Sequence, residues 1–264
     1  MLTLYRYFKT LSNYNQVLGV QAIIYIVAAL GLVIFWDWKL FLIGVVLGWW
    51  LFCVGISISL HKMVSHKTFV PKNQLIKFIL LWAGVQSTLG SPIAFAAGHR
   101  QHHINSDTDL DPFKLSSFWH NVKLWFYHFS IIDISPRIIK DIAADSDIKL
   151  FHNHYWKIWA IYPSILLCIG PIYFVYLFAI PVVYGFLGMS YVTVIAHSTT
   201  WNKLFNNLKK SNNLDDSWDS DFFSVLFAGE GYHHTHHKSP GMYNYSKMNN
   251  KFDFSGWLIS ILKR

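Results

Sequence analysis

The sequence predicts an all-α integral membrane protein, with four transmembrane helices in two hairpins and a helical cap that holds a histidine-rich site for two metal ions. Three observations predict this fold class. Hydrophobic residues make up 53% of the 264 residues and charged residues only 14%, whereas an average soluble domain has about 25% charged residues. Long runs without a charged side chain recur along the chain. Eight histidines stand in three tight clusters between these runs.

The first hairpin is predicted over residues 17–36 and 40–60, neither of which contains a charged side chain. At about 1.5 Å rise per residue the first run spans roughly 30 Å, the thickness of the hydrocarbon core of a bilayer. Only Asp37, Trp38 and Lys39 separate the two runs, so the connection is a tight turn. Because a second span follows at once, the N-terminal run is interpreted as a retained anchor and not as a signal peptide.

The second hairpin is predicted over residues 158–170 and 171–192. No formal charge occurs from Ile158 to Ala196, which leaves room for two spans. Gly170 and Pro171 form the natural turn between them.

A further apolar stretch, 78–97, is predicted to lie at the membrane interface or against the cap. It is long enough to cross once, but it joins the first histidine cluster to the second. A single crossing would therefore place the two clusters on opposite sides of the membrane. Polar and turn-forming residues also interrupt it, including Gln86, Gly90 and Pro92.

The whole chain, 1–264, is predicted to be one domain whose cap comprises residues 61–157 and 197–264. Of the 22 lysines and arginines, Lys39 alone falls in the two outer turns. The positive-inside rule therefore places the cap in the cytoplasm, at the inner membrane of a bacterium or the endoplasmic reticulum of a eukaryote. The net charge of +8 could indicate nucleic acid binding. The basic residues, however, lie between apolar runs and form no stripe, so nucleic acid is not an expected partner.

The histidine clusters have the spacings HxxxxH, HxxHH and HxxHH, and they comprise His61 and His66; His99, His102 and His103; and His233, His236 and His237. On a helix, positions i, i+3 and i+4 lie within about one third of the circumference, so each HxxHH set is expected to aim three imidazoles one way. His61 and His66 lie well apart around a straight helix. We expect them at the end of the second span, where they hold the metal cluster from two sides or serve different metals.

Eight imidazoles exceed what one metal ion can bind, so the clusters predict two ions. Zinc is the competing metal, but it prefers closed four-ligand sites and often thiolates. The two cysteines, Cys53 and Cys168, lie in apolar stretches away from every cluster. An all-nitrogen site with room for oxygen suits iron. A haem site fits less well, because the histidines crowd at the ends of the spans.

The strings HKMVSHKTF, GHRQHHINSDTDLDPF and GEGYHHTHHKSP resemble the three histidine boxes of the membrane fatty acid desaturases, in particular the delta-9 acyl-CoA and related bacterial acyl desaturases. The resemblance covers most of the chain, in the order two spans, box, interfacial stretch, box, two spans, box. It implies a di-iron centre, with dioxygen as co-substrate, and a ninth ligand after the fourth span, which is His197 here. Many family members carry an asparagine four residues before this histidine, where this chain has Thr193. The third box contains His234, which is not a predicted ligand.

The resemblance also implies an activity, the oxygen-dependent insertion of a cis double bond, delta-9 in the first instance, into a long acyl thioester or acyl lipid. Because the sequence contains no His-Pro-Gly-Gly motif of a fused cytochrome b5, electrons are expected from a separate carrier, a cytochrome b5 or a ferredoxin with its reductase. One alternative is a membrane hydroxylase of acyl or lipid chains that uses the same di-iron centre. A second is a non-enzymatic membrane metal-binding protein, which would hold its ligands within the spans.

Partners for the imidazoles follow from general metal chemistry. A ligating histidine usually donates its other N–H to a carboxylate or carbonyl. The acidic residues beside the clusters are therefore candidates for this role, with solvated surface charge as the alternative; they are Asp107, Asp109, Asp111 and Glu230. Thr193 is a further candidate because of its position in the family.

Overall fold

The computed structural model describes residues 2–125, 135–206 and 215–264, and their regular structure is helical apart from two isolated β-bridges. The prediction of an all-α protein is confirmed. The helices are α1 (Leu2–Ile34), α2 (Trp38–Ser65), α3 (Gln74–Gln86), α4 (Pro92–Asn105), α5 (Phe118–Trp125), α6 (Lys140–Ala143, after a 3₁₀ turn at Pro136–Ile139), α7 (Ser146–Asn153), α8 (Tyr155–Ile169), α9 (Pro171–Ile195), α10 (Thr199–Asn206), α11 (Asp221–Leu226), α12 (His233–Lys238), α13 (Ser246–Asn249) and α14 (Phe254–Leu262).

Three of these helices are long and apolar enough to cross a membrane: Gln16–Ile34 within α1, α2 and α9. The remaining predicted span, over 158–170, corresponds to α8. That helix is apolar, but its 15 residues cover only about 22 Å at 1.5 Å per residue, less than the hydrocarbon thickness. The membrane prediction is therefore confirmed for three helices, whereas the count of four spans is not.

The two outer turns lie at the same end of the molecule. Asp37 caps α2, because its carboxylate accepts hydrogen bonds from the backbone N–H groups of Lys39 and Leu40. The hydroxyl of Tyr176, near the start of α9, donates to the Phe35 carbonyl at 2.6 Å and accepts from the Asp37 N–H at 2.9 Å. This tyrosine fastens the start of α9 to the turn between α1 and α2.

Glycines allow α2 and α9 to pack closely. A Cβ atom at Gly44 would lie 2.8 Å from the Tyr176 carbonyl oxygen, and one at Gly48 would lie 2.6 Å from the Tyr184 Cβ. Real Cβ atoms do not approach other atoms this closely, so only glycine fits at these two positions. Small residues at a helix contact are typical of membrane proteins, where close backbone approach replaces the hydrophobic effect as the source of packing energy.

Helix α2 changes character halfway along. Trp38–Leu51 is α-helical, and Phe52–Ser65 is π-helical, with hydrogen bonds from residue i+5 to residue i. The last of these bonds joins the His66 N–H to the His61 carbonyl at 3.1 Å. The helix therefore continues beyond residue 60, the predicted end of the span. The π geometry places residues five apart on nearly the same side of the helix, and the ring centroids of His61 and His66 lie 5.0 Å apart.

The stretch 78–97 contains parts of two helices. Helix α3 ends at Gln86 and α4 begins at Pro92, after a turn in which Thr88 and Gly90 have positive φ angles of 60° and 97°. Ser91 caps α4, with Pro92 in the first helical position, the arrangement that such a pair favours. The relation of this stretch to the bilayer stays a prediction.

Candidate metal centre

The histidines converge from four elements at the ends of α2 and α9 that lie farthest from the two connecting turns. The first cluster comes from the end of α2, the second from α4 and the third from α12, while His197 follows directly after α9. Helix α4 packs against the π-helical half of α2, which brings the first two clusters together.

The third cluster depends on the glycines of its GEG motif. Gly229 has a φ of +102°, a conformation that L-residues rarely adopt. A Cβ atom at Gly231 would lie 2.0 Å from the backbone nitrogen of Ser224. These two glycines therefore allow the chain to turn tightly after α11 and to present α12 to the centre.

The nine predicted ligands form two groups, in each of which the offered ligand atoms lie within 4.8 Å of one another. The five-histidine group contains His61, His66, His99, His103 and His236, and the four-histidine group contains His102, His197, His233 and His237. We expected His61 and His66 either to hold the metal cluster from two sides or to serve different metals. In the structure both belong to the five-histidine group. His197, expected only from family resemblance, lies among the others.

The expectation that each HxxHH set aims its imidazoles one way is wrong. In the second cluster His99 and His103 belong to the five-histidine group, whereas His102 belongs to the other. The third cluster divides in the same way, with His233 and His237 on one side and His236 on the other. The reason is the pitch of the helix. Residues four apart lie about 40° apart around the axis, whereas the residue at i+3 lies about 60° away on the opposite side. Both clusters thus bridge the two groups.

Carboxylates contact several of the imidazoles at Nδ1. The Nδ1 atom of His61 lies 3.0 Å from Glu230 and that of His102 lies 2.9 Å from Asp111. The Nδ1 atom of His197 lies 3.2 Å from Asp107. Glu230, Asp107 and Asp111 thus lie where the sequence predicted partners of the histidines.

Two partners were missed by the sequence analysis. Asp215 lies 2.7 Å from the Nδ1 atom of His237, and the fully buried Tyr245 places its hydroxyl 2.9 Å from the Nδ1 atom of His236. Asp215 is 22 residues before its histidine in a polar stretch, so no spacing indicated it. Tyr245 belongs to an aromatic pattern that also fits a core residue.

Two other predicted partners contact no histidine in the part of the chain that the structure describes. Asp109 is exposed and pairs with Lys114 at 2.5 Å, because it faces outward from the loop after α4. The Thr193 hydroxyl donates to the Met189 carbonyl within its own helix at 2.9 Å. His234 belongs to neither group, and its Nδ1 atom lies 3.2 Å from the Ser217 hydroxyl.

The carboxylates decide where the protons of the imidazoles lie. An ionised carboxylate can only accept a hydrogen bond, so an Nδ1 atom beside it carries the proton and the Nε2 atom presents a lone pair. His102 and His237 both have such carboxylates, yet their Nε2 atoms lie only 3.3 Å apart. Two lone pairs that face each other at this distance repel, and a cation bound by both nitrogens removes the repulsion. The donor set therefore fits metal ions.

Burial keeps most of the imidazoles neutral. It lowers the pKa of His66 to about 2 and that of His237 to about 3, with neighbouring imidazoles acting in the same direction. Burial also lowers the pKa of His99, His103, His233 and His236. His197 differs: burial lowers its pKa, but the hydrogen bond to Asp107 and the negative charges of Asp107, Asp215 and Asp111 together outweigh burial and raise it. At neutral pH the centre thus offers predominantly neutral nitrogen donors.

A buried cation lies directly beside the centre. Lys62 is fully buried. Its Nζ atom contacts the Asp253 carboxylate at 3.3 Å and the Ser255 hydroxyl at 2.5 Å. The same atom lies 4.3 Å from the centroid of the Tyr245 ring. Asp253 also accepts hydrogen bonds from backbone N–H groups, including that of Tyr245. This network holds Tyr245 against His236.

A small cavity opens onto the centre between the two groups. Its apolar lining comes from Phe52, Ile56, Phe95, Met189 and Val192. Its polar end is formed by residues of the centre itself, which are His61, His99, Glu230 and His233. The cavity is thus apolar on one side and is lined on the other by histidines of both groups.

Comparison with known proteins identifies relatives of this chain. Residues 36–248 match the family model described as fatty acid desaturase. The sn-1 stearoyl-lipid 9-desaturase of Anabaena variabilis is 28% identical over 76% of this chain and 72% of its own length. The sn-2 palmitoyl-lipid 9-desaturase of Nostoc sp. (strain 36) is 26% identical over 87% of this chain and 80% of its own. A probable acyl-CoA desaturase of Schizosaccharomyces pombe is 29% identical over 72% of this chain and 40% of its own.

Proposed function

We propose that this chain, which belongs to the fatty acid desaturase family, uses two iron ions and dioxygen to insert a cis double bond at position 9. As a member of this family it is an oxidoreductase that desaturates fatty acyl chains. The single observation that carries the metal part of this proposal is the contact between the Nε2 atoms of His102 and His237, 3.3 Å apart with their protons held on Nδ1 by carboxylates.

The nine histidines are the proposed ligands, five for one ion and four for the other. The ligand atoms are imidazole nitrogens throughout, and both cysteines lie outside the two groups, which favours iron over structural zinc. Bound iron would supply the oxygen-dependent oxidation that removes one hydrogen from each of two neighbouring methylenes. Glu230, Asp107, Asp111 and Asp215 would hold the Nδ1 protons and so fix the direction in which each Nε2 lone pair points.

The apolar cavity is the proposed site of the reacting part of the acyl chain. Phe52, Phe95 and Met189 offer surface for methylenes and exclude water, while His61 and His233 lie at its polar end. Methylenes in this cavity would lie beside histidines of both groups. Such pockets orient a flexible chain by shape, because methylenes offer no hydrogen bonds.

Position 9 and the acyl carrier are proposed from the relatives. Two of them are named lipid 9-desaturases, and another is named a probable acyl-CoA desaturase. The substrate is accordingly a long-chain acyl lipid or acyl thioester. The electrons would come from a separate carrier, a cytochrome b5 or a ferredoxin with its reductase.

The proposed topology has four spans in two hairpins with the metal centre in the cytoplasm. The contacts of Tyr176 with Phe35 and Asp37, which place both outer turns at one end, support the two hairpins. Helix α8 would cross as the third span, with the bilayer locally thinned to match its length. The distribution of lysine and arginine supports the orientation.

Expression in a host that lacks its own desaturases tests the proposed function. The expected result is the appearance of monounsaturated acyl chains with the double bond at position 9, mapped by mass spectrometry of the lipids. His102→Ala should abolish this product. Lipids that stay saturated despite a folded protein would contradict the proposal, and hydroxylated chains would show the alternative hydroxylase.

A further inference from the structure

The two histidine groups differ in the number of carboxylates that contact them. In the four-histidine group three ligands have a carboxylate at Nδ1, which are His102, His197 and His237. In the five-histidine group, within the described ranges of the chain, only His61 has one, whereas His236 contacts the Tyr245 hydroxyl. The group with fewer ligands thus carries more negative charge.

Positive charge is distributed in the opposite way. Lys62 is adjacent to His61 in the chain and is fully buried beside Tyr245. Arg100 donates from Nε to the Ser65 carbonyl at 2.6 Å, next to His66. Both cations lie on the side of the five-histidine group, where each disfavours a bound cation even though Asp253 and Asp141 neutralise part of their charge.

Carboxylate partners strengthen metal binding by making the imidazole a better donor and by adding charge. Loss of one such partner typically lowers metal affinity about 10–100-fold. On that scale, two further carboxylates correspond to about 10²–10⁴-fold. The five-histidine group has one additional neutral ligand, but the two cations beside it, although paired with carboxylates, lie near its ion and oppose that advantage.

We propose that the two ions are held unequally, so that the four-histidine group keeps its ion when the five-histidine group has lost its own. Asp107, Asp111 and Asp215 are the positioning residues that cause this difference. The inference rests on the proposed function, in which both groups hold iron.

Stepwise removal of metal tests this inference without any assay of turnover. The full-length protein in detergent is loaded with Fe²⁺ under anaerobic conditions and equilibrated with a chelator of increasing concentration. Iron per chain is then measured by mass spectrometry. The expected result is loss in two steps, with the chelator midpoints at least about tenfold apart. Loss of both ions in a single step would overturn the inference.

Matched variants assign each step to a group. Asp215→Asn keeps an oxygen acceptor for His237 but removes the charge, and it should shift the tighter step about 10–100-fold towards weaker binding. Glu230→Gln makes the same change at His61 and should shift the looser step. Asp109→Asn alters an exposed carboxylate that pairs with Lys114 and belongs to neither histidine group, and it should change neither step. The opposite assignment, in which Asp215→Asn moves only the looser step, would overturn the inference.

Second variants separate positioning from a loss of folding. Asp107→Asn probes the same group through His197, and it should shift the same step as Asp215→Asn. Asp215→Glu retains the charge and should restore part of the tighter binding. Failure of the proposed function would look different. A protein that holds two irons and forms no unsaturated product contradicts that function, whereas an active enzyme that loses both irons in one step contradicts only the inference.

Discussion

The two halves of α2 belong to one continuous helix but lie in different surroundings. In the outer half, Trp38–Leu51, only Gly44 and Gly48 are buried, and large apolar side chains such as Val46 are exposed. In the inner half, Phe52–Ser65, all residues but Val54 are buried, including several polar ones. The outer half presents an apolar surface suited to lipid. The inner half is enclosed by protein, and its polar groups are accommodated because partners from distant parts of the chain meet them.

The comparison teaches that hydropathy describes a helix and not its surroundings. Both halves are apolar enough to count as one membrane span. The inner half nevertheless contains His61 and Lys62, whose carboxylate partners Glu230 and Asp253 are more than 160 residues away in the sequence. Each such pair stabilises the fold only as long as both members are present.

The largest expected effect is at the buried lysine. Lys62→Met leaves Asp253 buried without its cation, and we expect a loss of about 3–5 kcal/mol in the free energy of unfolding. Lys39→Met, in the exposed start of the outer half, should change it by no more than about 0.5 kcal/mol. Denaturant titration of both variants in detergent measures the difference. Equal stability of the two variants would remove the distinction between the halves.

Two serines of the inner half give a smaller and more selective contrast. The Ser57 hydroxyl donates to the Glu230 carboxylate at 2.5 Å, whereas the Ser59 hydroxyl is buried without a partner in the described part of the chain. Ser57→Ala should cost about 1.5–3 kcal/mol of unfolding free energy, the value of a hydrogen bond to a charged group. Ser59→Ala should be neutral or stabilising. The same denaturant titration compares them, and a greater loss at Ser59 would refute this account of the inner half.

The outer half is expected to be sensitive only on its glycine face. A methyl group at Gly48 would meet the Tyr184 Cβ at 2.6 Å, so Gly48→Ala should cost about 1–3 kcal/mol through overpacking. Val46→Leu, on the exposed face, should change stability by no more than about 0.5 kcal/mol. Thermal unfolding in detergent checks both. If Val46→Leu destabilised as much, the exposed face would have to contact protein and not lipid.

The smallest expected effect concerns the end of the inner half and its dependence on pH. Arg100 donates to the Ser65 carbonyl and to Asp141, and its hydrogen bond to that carboxyl lowers the pKa of Asp141 to about 2. A lowered pKa stabilises the fold above the ordinary value near 4, and the gain is lost as the pH falls towards 2. Because Asp141 is partly exposed, the contribution should stay below about 1 kcal/mol.

Asp141→Asn provides the comparison for this effect. The melting temperature of the natural chain should exceed that of the variant at pH 6, and the difference should shrink as the pH is lowered below 4. A difference that grew with acidity would contradict the sign of the linkage.

The sequence predicted those features that depend on local pattern. The ends of α2 and α9 fall within a few residues of the predicted spans, because long apolar runs leave little freedom in where a helix lies. The nine histidines were identified by spacing and by family resemblance. Asp215 and Tyr245 were not, because their contacts with His237 and His236 arise only when loops fold onto α12.

Other features required the third dimension. The pitch of the helix divides each HxxHH set, but which histidines of α4 and α12 share a group is seen only when the two helices meet at the centre. The π-helical turn that brings His66 towards His61 is not encoded in a hydrophobic period. Asp109 and Asp111 are two residues apart, yet only Asp111 turns inward to His102.

We propose that the buried inner half of α2 helps to hold a two-iron centre that desaturates an acyl chain. The most direct test is to measure iron content and product on one sample of purified protein, supplied with a saturated acyl substrate, dioxygen and a reductant. We expect two irons per chain and a new double bond at position 9. His61→Ala should lose the double bond and the iron of the five-histidine group, whereas His234→Ala should retain both irons and the product. A natural chain that binds two irons yet gives no double bond, or a His61→Ala variant that retains both irons and activity, would contradict it.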